Sequence, residues 1–231
     1  MWLGLRRNIP RRLIGYLLLT ELSGKSYPEF SSENEFDGFL KNSGPDRPRI
    51  VKTRSHVFWL FGLSGAGKST LADALSHDLF SQHGEKVLRL DGDRLRSGLS
   101  SGLGFSEADR TENLRRAAQV ARLGIESGLV VVAAFITPQE IQRSTVESIV
   151  GAATLSFIHV DADLATCCRR DVKGLYASAA KGAVKQMTGV SAGFEQPVIP
   201  PALRLRTGDE SSEQSLTTLR AFVWMKLGLM E

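Results

Sequence analysis

The sequence predicts an α/β fold with a doubly wound, mainly parallel five-stranded sheet and helices on both of its faces. Two observations predict this fold. Short apolar segments alternate with amphipathic ones from Val57 onward, and a glycine-rich segment follows the first apolar one. The 231 residues, of which 42% are hydrophobic, suit one globular domain with a tail. In such a sheet, ligands bind beyond the carboxyl ends of the strands.

The alternation predicts the elements in chain order. Strands are expected at VFWLF, EKVLRLDGD, LVVVAAFITP, TLSFIHVDAD and ALRLRT. Helices are expected at KSTLADALSHDLFSQ, ADRTENLRRAAQVARLGIESG and SEQSLTTLRAFVWMKLGL. The first helix would bury one face through Leu71, Leu75 and Leu79. The third strand is apolar nearly throughout, which is typical of a strand covered on both faces.

Residues 1–50 differ from the rest and are predicted to be a basic, poorly ordered arm with a polar linker, ahead of a domain at 51–231. The arm has four arginines and no acid in its first 20 residues. Its apolar segment, Leu13 to Leu19, is too short to span a membrane, which takes about 20 residues. An interfacial helix, an organelle transit peptide and a signal peptide remain open for this arm.

The basic charge lies mainly in the arm. Without its four arginines, the 29 basic residues fall to 25, which matches the 25 acidic residues. No polybasic face indicates nucleic-acid binding, so no nucleic-acid partner is expected. The two cysteines, Cys167 and Cys168, are adjacent and have no metal-ligand spacing, which favours a reduced, cytoplasmic protein. An organelle is the alternative if the arm is a transit peptide.

The glycine-rich segment GLSGAGKS fits the phosphate-loop pattern G-x-x-x-x-G-K-[ST] without a mismatch. Its strand–loop–helix setting predicts that backbone N–H groups surround the phosphates of ATP. Lys68 would reach the β- and γ-phosphates and Ser69 would bind Mg²⁺. The loop alone does not separate a kinase from a GTPase or a motor. The candidate phosphate ligands are Gly62, Ser64, Gly65, Ala66, Gly67, Lys68, Ser69 and Thr70.

Two acids follow the second predicted strand. Asp91 and Asp93 would stand beside the phosphate loop in a parallel sheet. A carboxylate there can take a proton from an attacking hydroxyl or hold Mg²⁺ through water. Asp-Gly-Asp is also ordinary turn chemistry, and both interpretations remain open.

Cations and one aromatic ring come next in the chain. Arg110 and Asn113 would share one helix face, and Arg96 precedes them. Arginine binds planar anions through two N–H groups. Phe105 lies among glycines, where a ring has little secondary structure to pack against. Together these residues predict an acceptor with a flat ring and a negative charge.

The motifs GLSGAGKST, LDGDRLRSGL, LGFSEADRTENLRR, AAFITP, RDVKGLY and VKQMTGV occur in this order, and the chain thereby resembles the adenylylsulfate kinases over roughly residues 56–200. The resemblance implies a P-loop kinase with a mobile lid, in most cases a homodimer. Such enzymes move the γ-phosphoryl of ATP to the 3′-hydroxyl of adenosine 5′-phosphosulfate (APS), giving PAPS for sulfate assimilation.

The resemblance also implies a role for individual residues. Lys68, Asp91, Asp93 and Thr137 would be catalytic, and Ser69 and Asp91 would hold Mg²⁺. Arg170 would join the phosphate loop in binding ATP. The residues implied for APS are Asp93, Arg96, Phe105, Arg110, Asn113, Ile136, Thr137, Lys173, Lys185 and Met187.

The acceptor side departs from the family pattern at three positions. Thr137 replaces a serine but keeps the hydroxyl. Glu140 replaces a cation, which would oppose an anionic acceptor if its side chain pointed inward. Met187 replaces a stacking phenylalanine. Two alternatives therefore stay open: a kinase for another nucleotide-like or sugar acceptor, and a weakly active nucleotide-binding regulatory protein.

Overall fold

The computed structural model describes residues 54–172, 174–180, 188–190 and 193–230. The strands are β1 Val57–Phe61, β2 Val87–Asp91, β3 Val130–Ala134, β4 Leu155–Val160 and β5 Leu203–Leu205. The helices in this part of the chain are α1 Lys68–His83, α2 Gly92–Arg96, α3 Glu107–Glu126, α4 Glu140–Val150, α5 Leu164–Arg170, α6 Leu175–Ala180 and α7 Ser212–Leu227.

The five strands form one sheet in the order β2-β3-β1-β4-β5, with every pairing parallel. The predicted doubly wound α/β class is thereby confirmed. β1 lies at the centre and pairs with both β3 and β4. The chain thus leaves the middle of the sheet directly into the glycine-rich loop. In open parallel sheets, binding sites form where the connections diverge in this way.

Alternate residues of β1 enter two separate apolar cores. Phe58 and Leu60 point to the face covered by α1 and α7, whereas Trp59 and Phe61 point to the face covered by α3 and α4. All four side chains are fully buried. This two-sided burial is why β1 and β3 read as continuous apolar runs rather than as alternating ones.

The helical faces agree with the sequence pattern. Leu71, Leu75 and Leu79 of α1 are all buried in the same core. On α7, Leu219, Val223 and Leu227 are buried as well; the predicted closing helix is therefore confirmed. A salt bridge fastens α7 to α1, with Nη2 of Arg220 2.6 Å from Oδ2 of the buried Asp78.

Four helices were not predicted: α2, α4, α5 and α6. The longest of the four, α4, contains β-branched and hydroxyl residues, which have only a moderate helix propensity. At its start, Oε1 of Gln142 accepts the backbone N–H of Gln139 at 3.3 Å, which is one half of a capping box. The apolar face of α4, including Val146 and Val150, packs in the core beside α3. Tertiary burial therefore decides this helix.

No helix of the described part of the chain is long and apolar enough to cross a membrane. The predicted arm at residues 1–50 lies outside the described residues. Its division from the domain at 51–231 stays a prediction.

Burial shifts the acid–base chemistry of His56, which precedes β1. Its ring is 9% exposed and its Nε2 lies 2.8 Å from Oγ of Ser156. Burial first, and then the charge of Lys226, lowers the pKa of His56 to about 4. The folded protein consequently holds this imidazole neutral.

We predict that His56 makes the protein acid-sensitive. Because its folded pKa lies below that of the unfolded chain, about 6.5, its contribution to stability is present above pH 6.5 and is lost as pH falls towards 4. The free energy of unfolding should drop by about 2–3 kcal/mol more between pH 7 and pH 4.5 in the wild type than in His56→Gln. Urea denaturation at both pH values measures this. The control is His77→Gln on the exposed side of α1, and an equal drop in all three proteins would contradict the prediction.

Candidate active site

A cleft of about 960 Å³ opens at the carboxyl ends of the central strands. The glycine-rich loop forms one wall, and the segments that follow β2 and β3 form the opposite wall. Among the predicted phosphate ligands, it is lined by Ser64, Gly65, Ala66, Gly67, Lys68, Ser69, Thr70 and Arg170. Among the predicted acceptor-side residues, it is lined by Asp91, Asp93, Arg96, Phe105, Arg110, Asn113, Ile136 and Thr137.

Gly62 is the one described residue of the predicted set that does not line the cleft. It makes the turn from β1 into the loop, with φ of 147°. A Cβ at this position would lie 2.2 Å from the carbonyl oxygen of Val160, so only glycine fits. Its N–H donates to the carbonyl of Ile136 at 3.2 Å, which ties the loop to the acceptor side.

Side chains hold four consecutive carbonyl oxygens of the loop, those of residues 63 to 66. Nζ of Lys68 donates to Leu63 at 2.7 Å, and the hydroxyl of Tyr176 donates to Ser64 at 2.9 Å. Nη1 of Arg170 lies 3.5 Å from the oxygen of Gly65, and Oγ1 of Thr207 donates to Ala66 at 2.8 Å. A loop that binds phosphate through its N–H groups needs its carbonyls occupied elsewhere. These contacts fix that orientation.

Tyr176 and Thr207 belong to the site although neither was among the predicted site residues. Both line the cleft. Burial raises the pKa of Tyr176, so its hydroxyl keeps the proton that it donates. The sequence carried a signal for each residue: Tyr176 ends the motif RDVKGLY, and Thr207 ends the last predicted strand, ALRLRT.

The two acids occupy distinct positions. Asp91 ends β2 and caps α2, accepting the N–H of Asp93 on Oδ1 at 3.0 Å. Its Oδ2 accepts the hydroxyl of Ser69 at 2.9 Å. Asp93 lies in the first turn of α2, at the surface of the cleft. The turn that the sequence left open is therefore a helix start, and both carboxylates stand beside the phosphate loop.

Ser69 and Asp91 fit Mg²⁺ by the chemistry of their donors. Both supply hard oxygen atoms, and the hydroxyl keeps its lone pairs when its proton is shared with Asp91. No group of three or more His, Cys, Asp or Glu side chains that could hold a metal occurs among the described residues.

The opposite wall carries paired cations over an exposed ring. The guanidinium of Arg96 lies 4.7 Å above the centre of the Phe105 ring, which is 65% exposed. Arg110 donates to the carbonyl of Phe105 at 2.9 Å and to Oγ1 of Thr188 at 2.6 Å. Burial, and then the neighbouring Arg96, lowers the pKa of Arg110. Two cations that repel one another at a partly buried site favour an anion between them.

Asn113 adds a buried polar atom to this wall. α3 begins at the Ser106 cap, whose Oγ accepts the N–H of Asp109 at 3.2 Å, and this places Arg110 and Asn113 on its cleft-facing side. Asn113 is 4% exposed, and its buried Oδ1 has no hydrogen-bond partner in the part of the chain that the structure describes. Such an acceptor is costly unless a ligand supplies a donor.

Thr137 has a strained backbone that its neighbours maintain. Its φ is 43°, an unfavourable value for a β-branched residue. The hydroxyl accepts the indole N–H of Trp59 at 2.9 Å, and the carbonyl accepts Nη1 of Arg143 at 3.0 Å. The side chain is 1% exposed. The hydroxyl of Thr137 is thus engaged with Trp59. The predicted catalytic role of Thr137 stays a prediction.

Glu140 does not line the cleft. Its carboxylate pairs with the buried Arg143 at 2.8 Å. Arg143 also donates to the carbonyl of Glu195 at 3.0 Å. The side chain of Glu140 therefore does not point into the cleft, as it would have to do to oppose an anionic acceptor. Lys173, Lys185 and Met187 lie outside the described residues, so their predicted roles stay predictions.

The parallel sheet, the phosphate loop and the facing pair of acids define a P-loop kinase. The family model for adenylylsulphate kinase matches residues 54–205. The adenylyl-sulfate kinase of Bacteroides fragilis is 46% identical over 188 residues, which cover 81% of this chain and 91% of that protein. The chain belongs to the adenylylsulfate kinase family.

Solved structures agree with this assignment. The APS kinase CysC of Mycobacterium tuberculosis, in complex with AMPPNP and APS, aligns with a TM-score of 0.69 and 37% identity, covering 74% of this chain and 98% of that chain. A hexameric APS kinase from Thiobacillus denitrificans aligns with a TM-score of 0.56 and 26% identity, covering 91% of this chain and 36% of that one.

We predict that Thr137→Val destabilises the protein although it preserves the shape of the side chain. The substitution leaves the buried indole N–H of Trp59 without an acceptor, which costs about 1–3 kcal/mol. Thr137→Ser keeps the hydroxyl and should stay within about 1 kcal/mol of the wild type. Urea denaturation at pH 7 compares the three proteins. Equal losses in the valine and serine variants would show that the hydrogen bond is not what matters.

Proposed function

We propose that this protein is an adenylylsulfate kinase that transfers the γ-phosphoryl of ATP to the 3′-hydroxyl of APS, giving ADP and PAPS. The observation that carries this proposal is the wall facing the phosphate loop. There the buried Oδ1 of Asn113 has no hydrogen-bond partner among the described residues, and it lies beside Arg110, Arg96 and the exposed ring of Phe105. An adenine offers a ring to stack and amino hydrogens to donate, and a phosphosulfate offers anionic oxygens.

The donor half of the reaction rests on the phosphate loop. With four of its carbonyls engaged by side chains, the loop can direct backbone N–H groups towards the triphosphate, and the amino-terminal end of α1 adds its dipole. Lys68 is 9% exposed, and its ammonium donates to the carbonyl of Leu63. Because an ammonium has three hydrogens, Lys68 can also donate to a phosphate oxygen in the cleft. Positioning and charge stabilisation of this kind make up most of phosphoryl-transfer catalysis.

We assign orientation of the acceptor hydroxyl to Asp93 rather than to Asp91. Both oxygens of Asp91 accept hydrogen bonds, from Ser69 and from the backbone of Asp93. That arrangement suits a residue that supports the metal site. Asp93 also lines the cleft, from the first turn of α2, and its carboxylate can accept the proton of the attacking 3′-hydroxyl.

Ser69 and Asp91 would hold Mg²⁺, Ser69 directly and Asp91 through water. When bound, the ion neutralises charge on the β- and γ-phosphates. Arg170 would contribute a further cation from the donor side, since it reaches the carbonyls of Gly65 and Thr207 at the edge of the loop.

The segment from Asp171 to Ala180 supports a lid. Asp171 accepts the N–H groups of Tyr176 and Ala177 at 3.0 and 2.9 Å and so begins α6, while the hydroxyl of Tyr176 touches the loop. We propose that this segment closes over both nucleotides and excludes water, which limits hydrolysis of ATP.

We further propose a cytoplasmic homodimer. This oligomeric state follows the sequence resemblance, whereas one structural relative is described as hexameric. Light scattering of the full chain distinguishes a dimer from a hexamer.

We predict APS-dependent ADP release that is lost in two variants for different reasons. Lys68→Ala removes a cation from the triphosphate, and Asp93→Asn removes the proton acceptor, so each should lower kcat by about 100-fold or more. A coupled ADP assay with APS, with other nucleotides and without acceptor measures this. Arg122→Met, on the exposed side of α3, is the control. Turnover with another acceptor only, or ADP release indifferent to any acceptor, would overturn the assignment.

We predict that Phe105→Ala raises the KM for APS about tenfold with little change in kcat. Loss of stacking on the base costs about 1–2 kcal/mol of binding, which does not depend on the transition state. Phe80→Ala removes an equally exposed ring from the far side of α1 and is the matched control. Initial rates at varied APS and saturating ATP give both constants. A fall in kcat at unchanged KM would contradict the stacking role.

A further inference from the structure

A polar network lies between α1 and β2, behind the proposed magnesium site. Ser69 and Asp73, four apart on α1, share one helix face, and Arg89 and Asp91, two apart on β2, share one strand face. Nε of Arg89 lies 2.8 Å from Oδ1 of Asp73, and its Nη2 lies 3.2 Å from Oδ2 of Asp91. Arg89 thus joins two carboxylates, and the reaction described above does not use it.

Arg89 and Ser69 share one acceptor atom. Oδ2 of Asp91 accepts the hydroxyl of Ser69 at 2.9 Å and the guanidinium of Arg89 at 3.2 Å. The hydroxyl has a single hydrogen, and donating it to Asp91 directs the lone pairs of Ser69 away from that carboxylate. The guanidinium is permanently charged, so it places a fixed positive charge beside the carboxylate of Asp91.

Arg89 acts on the cleft only through Asp91. It is absent from the cleft lining, and its side chain is 12% exposed, whereas Asp91 does line the cleft. A second contact, from Nη1 to the carbonyl of Leu90, fixes the guanidinium in place. The charge of Arg89 is therefore held at a fixed position behind the carboxylate.

We propose that Arg89 is a positioning residue that sets how strongly nucleotide binding depends on Mg²⁺, by holding Asp91 in place and offsetting its negative charge. The inference rests on the proposed function for the identity of the nucleotide and the metal. Without Mg²⁺, the negative charge of Asp91 beside the phosphate loop repels the triphosphate. With Mg²⁺, the same carboxylate attracts the ion. Arg89 reduces both effects because its charge is close and poorly screened.

The measured quantity is the Kd of AMPPNP in EDTA divided by its Kd at saturating Mg²⁺. Arg89→Met removes the charge and keeps an unbranched apolar stem. We expect its ratio to be at least about fivefold larger than that of the wild type, chiefly because binding in EDTA weakens. Arg89→Lys retains the charge, and its ratio should stay within about twofold of the wild type. Isothermal titration calorimetry of the full-length protein gives both constants.

Two further variants separate charge from packing. Arg89→Gln keeps a hydrogen-bond donor for Asp91 but no charge, so it should behave like Arg89→Met; it also serves if the methionine variant does not fold. Arg122→Met removes an arginine that pairs with Glu126 on the surface of α3, and its ratio should not change. Circular dichroism confirms that each variant is folded.

The inference fails if the ratio is unchanged in both uncharged variants, even when both dissociation constants rise, because that result reports packing alone. It also fails if Arg89→Lys shifts the ratio as much as Arg89→Met does. The binding measurement needs no acceptor. An increased ratio in a protein that does not phosphorylate APS would support the role of Arg89 and overturn the proposed function. APS turnover with an unchanged ratio would support the proposed function and overturn the role of Arg89.

Discussion

The hydrogen bonds to four consecutive carbonyl oxygens of the phosphate loop are the interaction on which the rest of the site depends. Lys68 belongs to the loop itself, whereas Arg170, Tyr176 and Thr207 come from segments far along the chain. A glycine-rich loop has many accessible backbone conformations, and the N–H groups face one point only when the carbonyls are held elsewhere. The donor site is thus assembled by tertiary contacts around a local motif.

Hydrogen bonds also connect the two walls of the cleft. Gly62 and Ile136 share a backbone hydrogen bond, and Trp59, in the middle of β1, donates to Thr137 on the opposite wall. Buried Arg143 holds the strained turn at Thr137 from behind. Since strain persists only where the surroundings enforce it, this turn is built to hold the acceptor wall at a set distance from the donor wall.

Charge is arranged differently on the two sides of the cleft. On the acceptor wall, Arg96 and Arg110 are partly buried side by side, which favours an anionic ligand. On the metal side, the carboxylate of Asp91 is balanced by Arg89. The carboxylate thus has an opposite charge fixed beside it, whereas the two cations are held together so that an anionic ligand would relieve their repulsion. Charges fixed in this way before the ligand binds are what preorganisation for phosphoryl transfer requires.

The sequence by itself determined the parallel sheet, the phosphate loop, the pair of acids and the cluster around Phe105, Arg110 and Asn113. Each is encoded locally, by apolar periodicity, by glycine spacing or by the spacing of residues on one helix. Tertiary structure alone decided that Glu140 turns to Arg143 and that Tyr176 and Thr207 reach the loop. It also brought Arg89 behind Asp91 and buried Oδ1 of Asn113 without a hydrogen-bond partner among the described residues. The direction of a long side chain depends on neighbours distant in sequence, so no local pattern encodes these contacts.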